Sequence, residues 1–127
     1  MKIDHIAINV NDLEGARMFF ETYFGGTSNR MYHNPRTGVR TYFITFADGS
    51  RLELMNRPGV ETTAFNPMRG GYVHLSFCVG SKEAVDTLTG RLEADGFEVL
   101  DGPRTTGDGY YESSIRAFEN NIIEIVE

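Results

Sequence analysis

The sequence predicts an α+β fold built from two tandem β-α-β-β-β modules, and three observations support this fold class. Both halves of the chain pass from strand-like alternation to helical spacing and back to strands in the same order. Residues 5–10 (HIAINV) match residues 74–79 (HLSFCV) at an offset of 69, and residues 52–54 (LEL) match residues 123–125 (IEI) at an offset of 71. Two copies are too few for a solenoid, so we expect two half-barrel sheets in one domain, residues 1–127.

The first module is predicted over residues 1–55. Its opening segment, KIDHIAINV, alternates in side-chain type with a period of two, which predicts a strand with two unlike faces. A helix from about residue 12 to 24 should follow, because Asn11-Asp12-Leu13-Glu14 resembles a capping box and Gly25-Gly26 can end the helix. The remaining strand candidates of this module are residues 29–32, 39–46 and 51–55.

Residues 56–71 are rich in Gly and Pro and lack periodicity, which indicates a linker. The second module, residues 72–127, repeats the order of the first. A strand is predicted over residues 72–79, and Ser81 should cap a helix that Gly96 ends. Three further strands are expected, at residues 97–100, 110–118 and 121–126.

Composition excludes several classes of partner and function. The only cysteine is Cys78, so no intrachain disulfide or zinc-ribbon cluster is expected. The formal net charge is -6 and no Lys/Arg-rich run is present, which argues against nucleic acid. No apolar run reaches the ~18 residues of a membrane span, and the N-terminus lacks signal-peptide regions. We therefore expect a cytoplasmic protein whose partner is a small molecule.

Four strands each carry one His or Glu between apolar neighbours, which turns the polar side chain away from the apolar face. Alone, each would be a solvated residue of a half-exposed strand, but together they occupy equivalent positions of the two modules. Two imidazoles and two carboxylates form a plausible first shell for nickel, zinc, cobalt or manganese. The candidate metal ligands are His5, Glu53, His74 and Glu124.

These segments resemble the vicinal-oxygen-chelate superfamily, which has the glyoxalase/bleomycin-resistance/dioxygenase fold, and within it bacterial glyoxalase I (lactoylglutathione lyase). The resemblance covers essentially the whole chain, through DHIAINVNDLEGARMFFETYFGG, RLELM, GYVHLSFCV and NIIEIVE. It implies a metal cleft between the half-barrels, with nickel or zinc as the first choice of metal. The family's four metal ligands match His5, Glu53, His74 and Glu124.

The resemblance also implies the reaction, a proton transfer through an enediolate on the hemithioacetal of a 2-oxoaldehyde and a thiol. Glu124 matches the general base of that family, and Glu53 would be a ligand that shares the proton shuttling. A homodimer is implied as well, because this superfamily commonly builds its cleft from modules of two chains. Asn9 stands where glyoxalase I typically has an Arg for glutathione, so the thiol is left open.

The substrate side of the site is predicted from charged and aromatic residues outside the ligand set. Arg40, Arg51 and Arg104 could meet an anionic group, and the segment TTGDGYY places Thr106 and Tyr110 in a Gly-rich hairpin. Two other functions share this scaffold: a metal-dependent epimerase of the methylmalonyl-coenzyme-A type, and a metal-free drug-sequestering protein of the bleomycin-resistance type. Glu53 favours the glyoxalase type, because that epimerase family usually has Gln at this position.

Overall fold

In the computed structural model, which describes residues 1–61, 68 and 70–127, strands and helices follow the predicted order. Two compact units are present, Met1–Thr63 and Ala64–Glu127. The elements of the first unit are β1 (Ile6–Asn9), α1 (Leu13–Phe24), β2 (Thr27–Ser28), β3 (Tyr32–His33), β4 (Arg40–Thr45) and β5 (Arg51–Asn56). Those of the second are β6 (His74–Cys78), α2 (Lys82–Ala94), β7 (Glu98–Thr105), β8 (Tyr111–Arg116) and β9 (Ile122–Val126).

The first unit is a sheet of order β1-β5-β4-β2, with β3 also paired to β4 and α1 packed on one face. Asp12 caps α1 by accepting a hydrogen bond from the Gly15 N–H at 2.9 Å. Gly25 ends the helix in the left-handed region at φ +63°, where glycine has no Cβ penalty. The buried apolar side chains of this unit include Phe20, Ile44 and Leu54.

The second unit is a sheet of order β6-β9-β8-β7 with α2 packed on one face. Ser81 caps α2 by accepting from the Ala84 N–H at 3.2 Å. Val85 and Leu92 of the helix and Ile115, Ile123 and Ile125 of the sheet are fully buried. In both units the first strand lies parallel to the last, and the other ladders described are antiparallel. The α+β fold class is therefore confirmed.

Several predicted strand boundaries are wrong, and β2 (Thr27–Ser28) was not predicted. The first strand begins at Ile6, so His5 lies just before it. The strand predicted over residues 29–32 is interrupted at residues 29–31, because the Asn29 side chain competes for the sheet edge. Its Oδ1 accepts from the Phe43 N–H at 2.8 Å, while its own N–H donates to the Phe43 carbonyl.

The strand predicted to end at residue 100 continues to Thr105 as β7. β7 is an edge strand and accommodates Gly102 and Pro103 through register shifts against β8. The linker was predicted over residues 56–71, but Asn56 belongs to β5, so the segment after the strand begins one residue later. Residues 62–67 and 69 of that linker lie outside the described residues. None of the described helices is both long and apolar enough to cross a bilayer.

Candidate metal centre

Glu53 and Glu124 lie on β5 and β9, and the histidines lie at the start of the neighbouring parallel strands, with His5 just before β1 and His74 the first residue of β6. In the first unit Ala7 pairs with Glu53, and in the second Ser76 pairs with Glu124. His5 comes two residues before Ala7, and His74 comes two residues before Ser76. Because side chains two residues apart share a face of a sheet, each histidine lies on the same face as its glutamate. The two modules therefore repeat the same register as well as the same residue types.

Each unit brings one imidazole nitrogen close to one carboxylate oxygen. The His5 Nε2 lies 3.7 Å from Glu53 Oε2, and the His74 Nε2 lies 3.6 Å from Glu124 Oε2. The glutamate side chains are 17% and 18% exposed, whereas the histidines are 35% and 41% exposed. In both pairs the carboxylate is thus the deeper group and the imidazole is more open to solvent.

The donor chemistry of both pairs fits a divalent transition metal. A single ion bonded to both atoms at the usual ~2.0–2.2 Å needs them no more than about 4.3 Å apart, which both pairs satisfy. Within residues 1–61, 68 and 70–127, no three His, Cys, Asp or Glu side chains form a metal-binding group. Each pair is therefore half of the predicted ligand set.

His5 is surrounded by further side chains of the first unit. Its Nδ1 lies 2.8 Å from Asp4 Oδ2, and the same carboxylate oxygen accepts a hydrogen bond from Arg51 Nη2. The Phe43 ring meets the imidazole edge to face, with centroids 5.1 Å apart and planes at 89°. The Arg51 guanidinium stacks over Phe43 at 4.9 Å from its centroid. Arg51, considered above for an anionic substrate, is thus already engaged with protein groups.

Glu124 has a different set of neighbours. Ser76 Oγ donates a hydrogen bond to Glu124 Oε1 at 2.6 Å, which leaves Oε2 toward His74. Glu112 of β8 is a second carboxylate near Glu124. Burial raises the pKa of Glu112, and the negative charge of Glu124 raises it further, while Arg104 opposes both effects.

The four predicted substrate-binding residues are distributed over both units. Arg40 donates a hydrogen bond to Asn56 Oδ1 at 2.8 Å in the first unit. In the second, Arg104 pairs with Asp101 and lies 4.0 Å from Glu112 Oε1. Thr106 Oγ1 accepts from the Tyr110 N–H at 3.0 Å and so closes the turn between β7 and β8, with Tyr110 exposed.

A cavity of about 530 Å³ lies in the first unit between α1, β4 and the segment around residue 30. Arg17 and Tyr42 are among its lining residues, and none of the four predicted metal ligands is. Tyr42 alternates with Phe43 along β4, so the cavity is on the face of the sheet opposite to Phe43. It is a feature separate from the His5–Glu53 pair.

Three residues near the pairs were missed by the sequence reasoning: Asp4, Ser76 and Glu112. A period-two signal was available for Glu112 in the sequence YESSIR, where the charged Glu112 and Arg116 alternate with Tyr111 and Ile115. In the structure Ser113 and Ile115 are buried, and Glu112 lies on the other face of β8. Ser76 also lies on the predicted face, two residues after His74. Asp4 carried no such signal, because it precedes the first strand and contacts a residue adjacent in sequence.

Comparisons with known proteins agree with this architecture. A family model described as the Glyoxalase/Bleomycin resistance protein/Dioxygenase superfamily matches residues 2–125. The uncharacterized protein YqjT of Bacillus subtilis is 30% identical over 115 residues, which is 84% of each chain. A glyoxalase family protein of Bacillus cereus superposes with a TM-score of 0.81 at 22% identity, covering 100% of this chain and 93% of that chain.

Another similar structure is the fosfomycin resistance protein FosX of Listeria monocytogenes, in a mutant form complexed with Mn(II) and 1S,2S-dihydroxypropylphosphonic acid. It superposes with a TM-score of 0.75 at 21% identity, covering 98% of this chain and 90% of that chain. At this level of identity the likeness concerns the fold.

Proposed function

The chain belongs to the glyoxalase/bleomycin resistance protein/dioxygenase superfamily, and we propose that it is a metal-dependent lyase of the glyoxalase I type. Its reaction moves a proton between adjacent carbons of a hemithioacetal, formed from a 2-oxoaldehyde and a thiol, through an enediolate. The observation that carries the proposal is the repetition of one imidazole–carboxylate pair, at 3.7 and 3.6 Å, in the same register of both modules.

The metal ligands in this proposal are His5, Glu53, His74 and Glu124. A four-ligand centre requires one His5–Glu53 pair and one His74–Glu124 pair, contributed by one chain or by two chains. Nickel and zinc are the first candidates, and cobalt and manganese also suit imidazole and carboxylate donors. The Mn(II) bound by FosX supports a divalent ion as the cofactor of this fold.

Such an ion supplies positive charge that stabilises the negative charge developing on two vicinal oxygens of the substrate. Glu124 acts as the general base, taking the proton from one carbon and returning it to the next. The Ser76 hydroxyl holds Glu124 Oε1, so Oε2 is the oxygen available for the proton. Glu53, in the equivalent position of the other module, is a ligand that shares the shuttling.

Asn9 cannot select the thiol through a charged contact. This residue lies on the exposed face of β1. Its neutral amide cannot form the bidentate ion pair that an Arg makes with a glutathione carboxylate. Candidates for holding the rest of the substrate are Arg40, Arg104, Thr106 and Tyr110, and we expect turnover with more than one thiol.

Metal analysis of protein purified without chelator tests the proposal first. We expect a stoichiometric divalent metal that is lost in His5→Ala and His74→Ala variants. His33→Ala is the matched control, because His33 is an exposed histidine of β3 outside both pairs. Protein that stays metal-free after exposure to nickel, cobalt, zinc and manganese would contradict the proposal and favour a binding protein.

Activity is tested with methylglyoxal and either glutathione or another thiol. We expect Glu124→Gln to lower kcat by about 10²–10⁴-fold, because an amide cannot accept the proton. The metal content of the same preparation separates loss of the base from loss of the ligand. A metal-loaded protein with no turnover on any thiol adduct would rule out the lyase and favour an epimerase.

A further inference from the structure

The imidazole of His5 has a defined acceptor on one nitrogen. Asp4 Oδ2 lies 2.8 Å from Nδ1, and an ionised carboxylate can only accept hydrogen bonds. Nδ1 must therefore carry the proton when His5 is neutral. Nε2, which lies 3.7 Å from Glu53, is then the nitrogen with the free lone pair.

Asp4 is itself held in place by Arg51. The Arg51 guanidinium donates to the same Oδ2 atom that faces His5, and it stacks over the Phe43 ring. Phe43 pairs with Glu53 across β4 and β5 and meets the His5 ring edge to face. The chain of contacts from Arg51 thus reaches both members of the His5–Glu53 pair.

We propose that Asp4, held by Arg51, is a positioning residue that keeps His5 in the Nδ1–H tautomer with Nε2 available to a metal. A carboxylate behind a metal-binding histidine fixes its tautomer and ring orientation. Asp4 is 62% exposed, so the pair adds little to the free energy of unfolding and acts through geometry. The inference rests on the proposed function only in the part that concerns metal affinity.

The second module lacks this arrangement. Val73 precedes His74, and its side chain offers no acceptor for an imidazole N–H. Ser76, whose counterpart in the first module is Ala7, instead holds the glutamate of the pair. The two modules therefore orient different members of equivalent pairs, the histidine in one and the carboxylate in the other.

The tautomer is measured by long-range ¹H–¹⁵N NMR of the metal-free protein over a series of alkaline pH values, and the spectra themselves report when the ring is neutral. We expect His5 in the Nδ1–H form in the wild type and a shift toward the Nε2–H form in Asp4→Ala. His74 is an internal reference in the same spectra, and Asp48→Ala removes a carboxylate that contacts Ser50 in another turn of the unit. An unchanged His5 tautomer in Asp4→Ala would overturn the inference.

Metal affinity is measured by competition with a chromophoric chelator. We expect Asp4→Ala to weaken the Kd by about 10–100-fold, and Asp48→Ala to leave it unchanged. Arg51→Gln should weaken the Kd less when Asp4 is already Ala than in the wild type, because part of its effect acts through Asp4. An unchanged Kd in Asp4→Ala would overturn the positioning role. A wild type that binds no metal would overturn the proposed function, and the NMR result would still decide the tautomer.

Discussion

Glu112 is a carboxyl group of the second unit whose pKa is raised by its surroundings. Its carboxylate is 20% exposed, and burial together with the charge of Glu124 raises its pKa. A carboxyl group with a raised pKa in the folded state binds protons more readily there than in the unfolded chain. The stability that the neutral carboxyl allows is fully present below the pKa of the unfolded state. It is lost as the pH rises through the pKa of the folded state.

Replacing Glu112 by Gln should therefore stabilise the protein at pH 7. We expect the free energy of unfolding to rise by a few tenths to about 1 kcal/mol at neutral pH, and this gain to disappear in acid. Denaturant unfolding at a series of pH values, with a chelator present, measures the effect. A difference that does not change with pH would mean that the charge of Glu112 is not its cause.

Glu98→Gln is the matched control for this substitution. Glu98 lies in the same sheet, but its side chain is 62% exposed and pairs with Arg116 at 2.7 Å. The same chemical change should there have little effect at pH 7, since exposed ion pairs contribute little. A gain as large as that of Glu112→Gln would show a general effect of net charge on this acidic chain.

The contact of α2 with its sheet includes a buried pair of hydroxyls. Thr89 and Ser113 are both buried, and their oxygens lie 2.6 Å apart. Thr89 donates its proton to the Val85 carbonyl at 2.6 Å, so Ser113 is the donor to Thr89. Ser113 depends on Thr89 for an acceptor, whereas Thr89 keeps its own bond without Ser113.

Because Ser113 depends on Thr89 but Thr89 does not depend on Ser113, removing either hydroxyl should lower the free energy of unfolding by a different amount. We expect Thr89→Val to cost about 1–3 kcal/mol, because it leaves the Ser113 hydroxyl buried without an acceptor, and Ser113→Ala to cost about 1 kcal/mol. The double variant should cost less than the sum. Chemical denaturation of the four proteins gives the coupling energy.

Thr87→Val makes the same change at an exposed position of α2 and should alter the free energy of unfolding by less than about 0.5 kcal/mol. Strict additivity of the Thr89 and Ser113 changes would contradict the proposed hydrogen bond.

Helices and central strands were predicted from the sequence better than the edges of the sheets. Both helix caps, Asp12 and Ser81, follow local rules that act within one turn, so the helices agree within a residue or two. The edge strands β2, β3 and β7 depend instead on pairing with distant residues. The interruption at Asn29 is one example, because its side chain bonds to Phe43, which local sequence patterns do not reveal.

Because the chain is duplicated, either one chain or two chains can supply the two pairs of a four-ligand metal centre. Each module holds one imidazole–carboxylate pair, and the resemblance to glyoxalase I implies a homodimer whose clefts use modules of two chains. A double variant His5→Ala/Glu53→Ala keeps only the second pair, and His74→Ala/Glu124→Ala keeps only the first. Neither should bind metal tightly alone.

Mixing the two double variants tests how the centre is assembled. In a mixed dimer the intact pairs belong to different chains, so a centre built across chains should be restored once per dimer. Joint refolding of equal amounts should make about half of the dimers mixed. We therefore expect tight binding of about one metal per four chains, measured by metal analysis. Wild type refolded in the same way is the control. No restoration would mean that one chain supplies all four ligands.

The sequence by itself determined the α+β class, the two modules and the equivalent positions of the His and Glu residues. It could do so because strand periodicity and internal repetition are both visible in the linear order of the residues. Only the tertiary structure decided that Asp4 contacts His5 and is held by Arg51, that Ser76 donates a hydrogen bond to Glu124, and that the charge of Glu124 raises the pKa of Glu112. Those contacts depend on register between strands and on where each strand starts, which periodicity alone does not specify.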